Sequence, residues 1–182
     1  MARTTALRSL CSRDKVGACV VSASNRLLDT GYNGPPRGFV REALRVRSLD
    51  GTTVVNDESC FNWCPRAASA RWHAGDGESD FPEWAESGFH GPNADYSDCP
   101  SVHAEVNALL FGDRTQREGG TLYVSSGVCF PCAKLVANSG VVRVVVDLSS
   151  TPEHRRGREA NQFMVDCGLD VDVRLERTRT NA

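Results

Sequence analysis

The chain has 182 residues, 40% hydrophobic and 24% charged, with a formal net charge of −2. That length suits one domain around a single core, and the balance is that of a globular chain and not a disordered one. Near-neutrality argues against a general nucleic-acid coat or a membrane-surface protein, and no stretch approaches the roughly 20 apolar residues that a bilayer span requires. The opening residues MARTTALRSL lack a basic segment followed by an apolar run, so no secretion signal is expected and the cytosol is the expected location. In such a reducing compartment the eight cysteines read as metal ligands or small core residues before they read as disulfides.

In chain order, Val16–Val21 and Arg26–Thr30 read as two strands around a turn at Ser22–Asn25, an antiparallel hairpin. GYNGPPRG at 31–38 holds three glycines and two prolines, and reads as a loop that continues neither strand. Such loops commonly carry function. From Phe39 to Pro100 the chain reads as irregular, and a stretch of that length is usually functional or held by something other than a core. Cys60, Cys64 and Cys99 lie in it with His73 and His90, while Cys11 precedes the first strand.

Beyond Cys99 the periodicity sharpens. Val102–Phe111 reads as a helix with Val102, Val106, Leu109 and Leu110 as its apolar face. Thr121–Val124 reads as a strand, Cys129–Asn138 as a helix ended by Gly140, and Val141–Val146 as a strand buried on both faces. Arg158–Cys167 suits a helix closed by Gly168, and Leu169–Val173 a last strand. Strands alternating with helices imply parallel pairings. The expected architecture is therefore α/β: a three-layer α/β/α domain over residues 1–182 around a five-stranded mixed sheet, with an irregular insertion at about 40–100. Cys19 and Cys167 read as small core residues.

His103-Ala104-Glu105 opens one of these helices and Cys129-Phe130-Pro131-Cys132 another. One imidazole and two thiolates match a catalytic zinc site, which takes three protein ligands and keeps a fourth position for water. Two residues between thiols at a helix start let both sulfurs address one ion, and the helix dipole stabilises their charge. Glu105 stands near the metal without being needed as a ligand, where a carboxylate can carry protons between water and substrate. His-x-Glu followed by Pro-Cys-x-x-Cys is the signature of zinc nucleobase deaminases, in which water attacks C4 of cytosine. Val128 stands where that signature has proline, which places the rigidity of the entering turn in question and leaves the ligands intact.

With these motifs in place, the chain resembles the deoxycytidylate (dCMP) deaminase family of the cytidine-deaminase superfamily. The matching stretches are Cys11-Ser12-Arg13 with Val16-Gly17-Ala18, GYNGPPRGF at 31–39, VHAEVNALL at 102–110 and TLYVSSGVCFPCAKLVANSGV at 121–141, about half the chain. The resemblance implies a cytidine-deaminase-like fold and hydrolysis of dCMP to dUMP, the precursor for thymidylate synthesis. It implies a catalytic zinc on His103, Cys129 and Cys132, with Glu105 as proton shuttle. It implies Asn33 as a ligand of the sugar hydroxyl or base edge, against the reading of Asn33 as a turn residue. Ser125 and Ser126, by position, line the base pocket or simply end a polar strand. A monophosphate needs cationic donors, and Arg13 and Arg37, with Lys15 beside them, flank the loop that carries Asn33.

Relatives of this type carry a second, structural zinc. Cys11, Cys60, Cys64 and Cys99 would form an all-thiolate site for it, with His73 or His90 able to replace one of them, or else they are unconnected thiols. Relatives are commonly hexamers regulated by dCTP and dTTP, sometimes with Mg2+ on the triphosphate. Two other functions compete. A tRNA adenosine deaminase or cytosine nucleic-acid deaminase would need basic, aromatic surface, whereas this chain is slightly acidic and Trp63, Trp72, Phe81, Trp84 and Phe89 are scattered through the insertion. A catalytically inactive zinc module would have no reason to keep Glu105. Location in a host cytoplasm is implied if a virus encodes the chain.

Overall fold

The computed structural model describes residues 1–9, 11, 14–36, 45–47, 53–55, 101–148 and 156–175. Arg13, Arg37, Cys60, Cys64, Cys99, His73 and His90 lie outside the described residues. The chain divides into two compact units. One takes in Met1–Ser9, Lys15–Asn33 and Val102–Ala182, and the other Leu10–Asp14 and Gly34–Ser101.

The first unit holds a helix α1 (Ala2–Ala6), strands β1 (Gly17–Val21) and β2 (Leu27–Tyr32), and a C-terminal α/β part. In the second unit, β3 (Arg45–Arg47) and β4 (Thr53–Val55) pair antiparallel, with Val46 opposite Val54. The stretch expected to be irregular therefore contains a hairpin, whose strands of three residues are too short to show an alternating pattern. The first unit continues with α2 (Ala104–Leu110), α3 (Arg114–Arg117), β5 (Thr121–Val124), α4 (Phe130–Ala137), β6 (Arg143–Asp147), α5 (Gly157–Asp166) and β7 (Asp170–Arg174).

Its sheet has five strands in the order β2-β1-β5-β6-β7. β1 pairs antiparallel with both neighbours, and β5, β6 and β7 run parallel. The expected mixed α/β sheet is present. Ala18, Val20, Leu122, Val124, Val144 and Val146 point to one face, where they form a core with Ala108, Ala133, Val136, Ala160 and Met164 of the helices. The alternation of period two puts Gly17 and Cys19 on the opposite face, under α1. Helices thus cover both faces. No helix among the described residues is long and apolar enough to cross a membrane.

Several boundaries differ from the pattern for physical reasons. Gly31 and Tyr32 belong to β2, paired with Ala18 and Gly17, so the loop begins only at Asn33. A glycine breaks a strand pattern in sequence yet is needed here, because a Cβ on Gly31 would stand 2.3 Å from the Ala104 carbonyl oxygen and 2.3 Å from the Ala108 nitrogen. α2 lies directly on β2. Its buried side is accordingly Ala104, Glu105, Ala108 and Leu109, and Leu110, expected on the apolar face, is exposed. α3 carries no apolar periodicity and is stabilised locally, by the Asp113 carboxylate accepting from the Thr115 amide. Cys167 caps α5 and is exposed, not a core residue, since the helix ends one residue earlier; Cys19 is buried as expected.

Arg117 fastens this arrangement. Its Nη1 donates to the Leu109 and Gly112 carbonyls at 2.7 and 2.9 Å, which lie where α2 runs out of internal partners, and its Nε donates to the Ser139 carbonyl. Replacing Gly31 by Ala tests the close approach. The new methyl meets backbone atoms that cannot turn away, and a cost of about 2 kcal/mol or more is expected, a fall of roughly 4–8 °C in melting midpoint. An unchanged midpoint in calorimetry would mean that α2 has room to lift off the sheet.

Candidate active site

Two helix starts build the site. His103 is the N-cap of α2, with extended backbone at φ −70° and ψ 155°, and its carbonyl accepts from the Asn107 amide. Cys129 is the N-cap of α4 with nearly the same conformation, φ −80° and ψ 159°, and its carbonyl accepts from the Ala133 amide. Neither side chain is spent on capping its own helix. Cys132 lies within the first turn of α4. Pro131 occupies the first turn too, where its missing N–H costs nothing. Phe130, between the cysteines, packs on Phe163 of α5 with ring centroids 5.1 Å apart.

These positions bring three ligand atoms together. His103 Nδ1 lies 3.3 Å from Cys129 Sγ and 3.3 Å from Cys132 Sγ, and all three atoms fall within 4.8 Å of one another. A tetrahedral zinc with bonds of ~2.0 Å to nitrogen and ~2.3 Å to sulfur has N···S edges of about 3.5 Å, so the donor set fits such an ion in spacing as well as type. Among the described residues this is the one such group of His, Cys, Asp or Glu.

The charges of the cluster are coupled. The Cys129 thiol is lowered to about 4, chiefly because Cys132 donates to its thiolate, with His103 adding to the effect against the cost of burial. Cys132 moves strongly upward, first because it gives that hydrogen bond and then by burial and the nearby charges of Glu105 and Cys129. His103 is raised by its contact with the Cys129 thiolate, with Glu105 and Cys129 charges assisting against burial. Glu105 is 3% exposed in the first turn of α2, so an acid sits within electrostatic reach of both His103 and Cys132.

Val128, in the place of the signature proline, is fully buried in the core. Packing, where a proline would use its ring, holds the turn into α4.

Ser125 and Ser126 follow the carboxyl end of β5, the edge at which parallel sheets place their sites, and both are buried. The Ser125 hydroxyl accepts from the Gly17 amide at 2.9 Å, and the Ser125 amide donates back to the Gly17 carbonyl. Asn33 is buried at the end of β2. Its Oδ1 accepts from the Val16 amide at 2.8 Å and from the Ser9 hydroxyl at 2.6 Å. The Tyr32 carbonyl beside it accepts from Asn107 Nδ2 at 2.8 Å, which ties the end of β2 to α2. Sequence spacing does not single out Ser9 or Asn107, because their partners lie 24 and 75 residues away. Cys11 is partly buried and Lys15 is exposed in the described structure, while the other expected phosphate and structural-metal residues lie outside it.

Zinc takes cysteine as thiolate, so a divalent cation must displace whatever proton the two thiols carry. Loading zinc into chelator-stripped protein at pH 7 is therefore expected to release at least about one proton per ion, read with an indicator dye in weak buffer. Binding with no proton release would show that both thiols are already ionised.

Comparison with known proteins agrees with this geometry. Residues 1–148 match the cytidine and deoxycytidylate deaminase zinc-binding region. The deoxycytidylate deaminase of Mycobacterium phage D29 is 38% identical over 145 residues, covering 80% of this chain and 87% of the phage protein. That of Enterobacteria phage T2 is 32% identical over 149 residues, 75% of this chain and 70% of the relative. Among solved structures, the dCMP deaminase of cyanophage S-TIM5 in complex with dCMP and dUMP superimposes with a TM-score of 0.52 at 22% identity, over 95% of this chain and 90% of that one, which shows a shared fold. With a donor set fitted to zinc, an acid beside it and a family match over most of its length, the chain belongs to the cytidine and deoxycytidylate deaminases, a zinc-binding enzyme family.

Proposed function

We propose that this protein deaminates dCMP to dUMP, consuming one water and releasing one ammonia. The observation that carries the reading is the pairing of the His103, Cys129 and Cys132 donor set with the buried acid Glu105. The deoxycytidylate deaminases of phages D29 and T2 support the choice of substrate. Zinc, when bound, lowers the pKa of a water so that a nucleophile is available at neutral pH. Glu105 takes the proton given up by that water, delivers it to N3 of the ring and assists the departure of ammonia from C4. Buried near a thiolate, the carboxylate is suited to being proton carrier and not ligand.

Around this centre, Asn33, Ser125 and Ser126 are read as the substrate side of the site, with Arg13 and Arg37 supplying charge for the monophosphate. The resemblance further supports dCTP and dTTP as effectors, Mg2+ with the triphosphate, a hexameric assembly, and action in a cytoplasm, which for a phage protein is the host's. We read the chain as one deaminase domain whose insertion is held by a structural zinc on Cys11, Cys60, Cys64 and Cys99. Metal analysis should then find about two zinc ions per chain, falling to about one in Cys60→Ala. A parent protein with one zinc removes the structural site.

Two measurements test the activity. Ammonia release from dCMP, dCTP, cytidine, deoxycytidine and a short single-stranded DNA should be greatest with dCMP. Turnover on the DNA but not on dCMP would overturn the nucleotide reading in favour of a nucleic-acid deaminase. Glu105→Gln should keep fold and zinc yet lose about 10²-fold or more in kcat, the scale of positioned proton transfer. Activity within a few-fold of the parent would refute the role of Glu105.

A further inference from the structure

We propose that Asn107 is a positioning residue for the metal centre. Its carboxamide ties α2 to the open edge of the sheet and so sets where His103 and Glu105 stand against the two cysteines. The inference rests on the roles of zinc and Glu105 given above. The observation that carries it is the 2.8 Å bond from Asn107 Nδ2 to the Tyr32 carbonyl, between residues 75 apart in the chain. β2 is the outermost strand of its sheet, with β1 on its one paired side. The Asn33 amide donates to the Val16 carbonyl, and pairs in an antiparallel ladder alternate between bonded and non-bonded. Tyr32, opposite Gly17, therefore sits in a non-bonded pair, and its carbonyl faces away from β1. Gly17 accordingly spends its own amide and carbonyl on Ser125. An edge carbonyl has no partner within the sheet, and α2 provides one.

Asn107 is also joined to the metal ligand through the helix, because its amide donates to the His103 carbonyl at 3.0 Å. Residues four apart lie on one side of a helix, so the tie acts on the stripe that carries His103. The imidazole depends on that tie for a specific reason. A metal-bound histidine is commonly oriented by a hydrogen bond at its second nitrogen, yet His103 Nε2 has no such partner among the described residues. The position of Nδ1 against the sulfurs of Cys129 and Cys132, which belong to α4, is thus set by where α2 lies. The contact of Gly31 with Ala104 and Ala108 fixes the height of α2 but gives no direction. Arg117 holds the far end of α2 by the Leu109 carbonyl, so loss of the Asn107 bond frees the end with His103 and Glu105. The strand end stays in place, because Asn33 and Val16 bond to each other.

Asn107→Ala tests this, since alanine favours a helix more than asparagine does and α2 itself is not weakened. In chelator competition the zinc Kd is expected to rise about tenfold, the scale of lost support behind a metal ligand. With zinc saturating, kcat for dCMP should fall about tenfold, because Glu105 shifts with the same helix end, while KM stays within about twofold. A bond that only stabilises the fold would lower the melting midpoint and leave zinc Kd and kcat within about twofold of the parent, and that result overturns the proposal. So does a KM that rises with kcat unchanged, which would put Asn107 on the substrate side. Should Asn107→Ala not fold, Asn107→Leu, of similar size and without a donor, is read for the same quantities by the same criteria. The zinc Kd needs no substrate, so a parent inactive on dCMP refutes the substrate reading and leaves this test standing.

Discussion

A side chain on Gly31 would collide with the backbone of α2 at both Ala104 and Ala108, so that helix rests on β2 with nothing between them but main chain. The contact sets more than packing density. Ala104 and Ala108 lie on either side of Glu105, and His103 caps the same helix, so the height of α2 above the sheet is the height of the acid and of the imidazole. Asn107 then hydrogen-bonds the Tyr32 carbonyl and removes the remaining freedom to slide along the strand. On the opposite face Gly17 plays the same part under α1, where a Cβ would stand 2.1 Å from the Ala2 carbonyl oxygen. Two glycines on neighbouring strands thus let helices approach from both sides, at positions where a larger residue would gain apolar burial and lose the geometry.

Close docking buries Glu105, and burying an acid is costly unless its surroundings answer its charge. Two helix N-termini converge here, each with its positive dipole end toward the cluster. One thiol is lowered by accepting a hydrogen bond from the other, which is driven upward in turn, and His103 is raised by the same neighbours. A divalent ion would give both sulfurs and the imidazole a common partner, which their type and spacing suit.

The ligands were legible from sequence because their chemistry is local: His103 and Glu105 are two residues apart, Cys129 and Cys132 three, and each pair opens a periodic helix. The parallel half of the sheet was legible for the same reason, from alternating strand and helix patterns between Thr121 and Arg174. Packing partners were not. Gly31 reads as a strand breaker until the helix above it is known, and Leu110 looks like core until the alanines take that face. Ser9 is a short polar residue with no motif around it, and only folding brings it against Asn33, 24 residues away in sequence. Cys167 and the hairpin of β3 and β4 fall to the same limit, since exposure and short-strand pairing are tertiary properties.

On the proposed function, reaction and recognition fall to different parts of the first unit. The zinc donors and the buried acid Glu105 ride on helix starts held by packing, down to Val128 replacing a proline by burial. Asn33 and Ser125 sit where strands end, held by main-chain amides of Val16 and Gly17 at the start of β1. Because Val16 and Gly17 are adjacent, one short stretch at the entry to β1 holds both polar residues, and through the pairing of Gly17 with Tyr32 it is also tied to the end of β2 on which α2 rests.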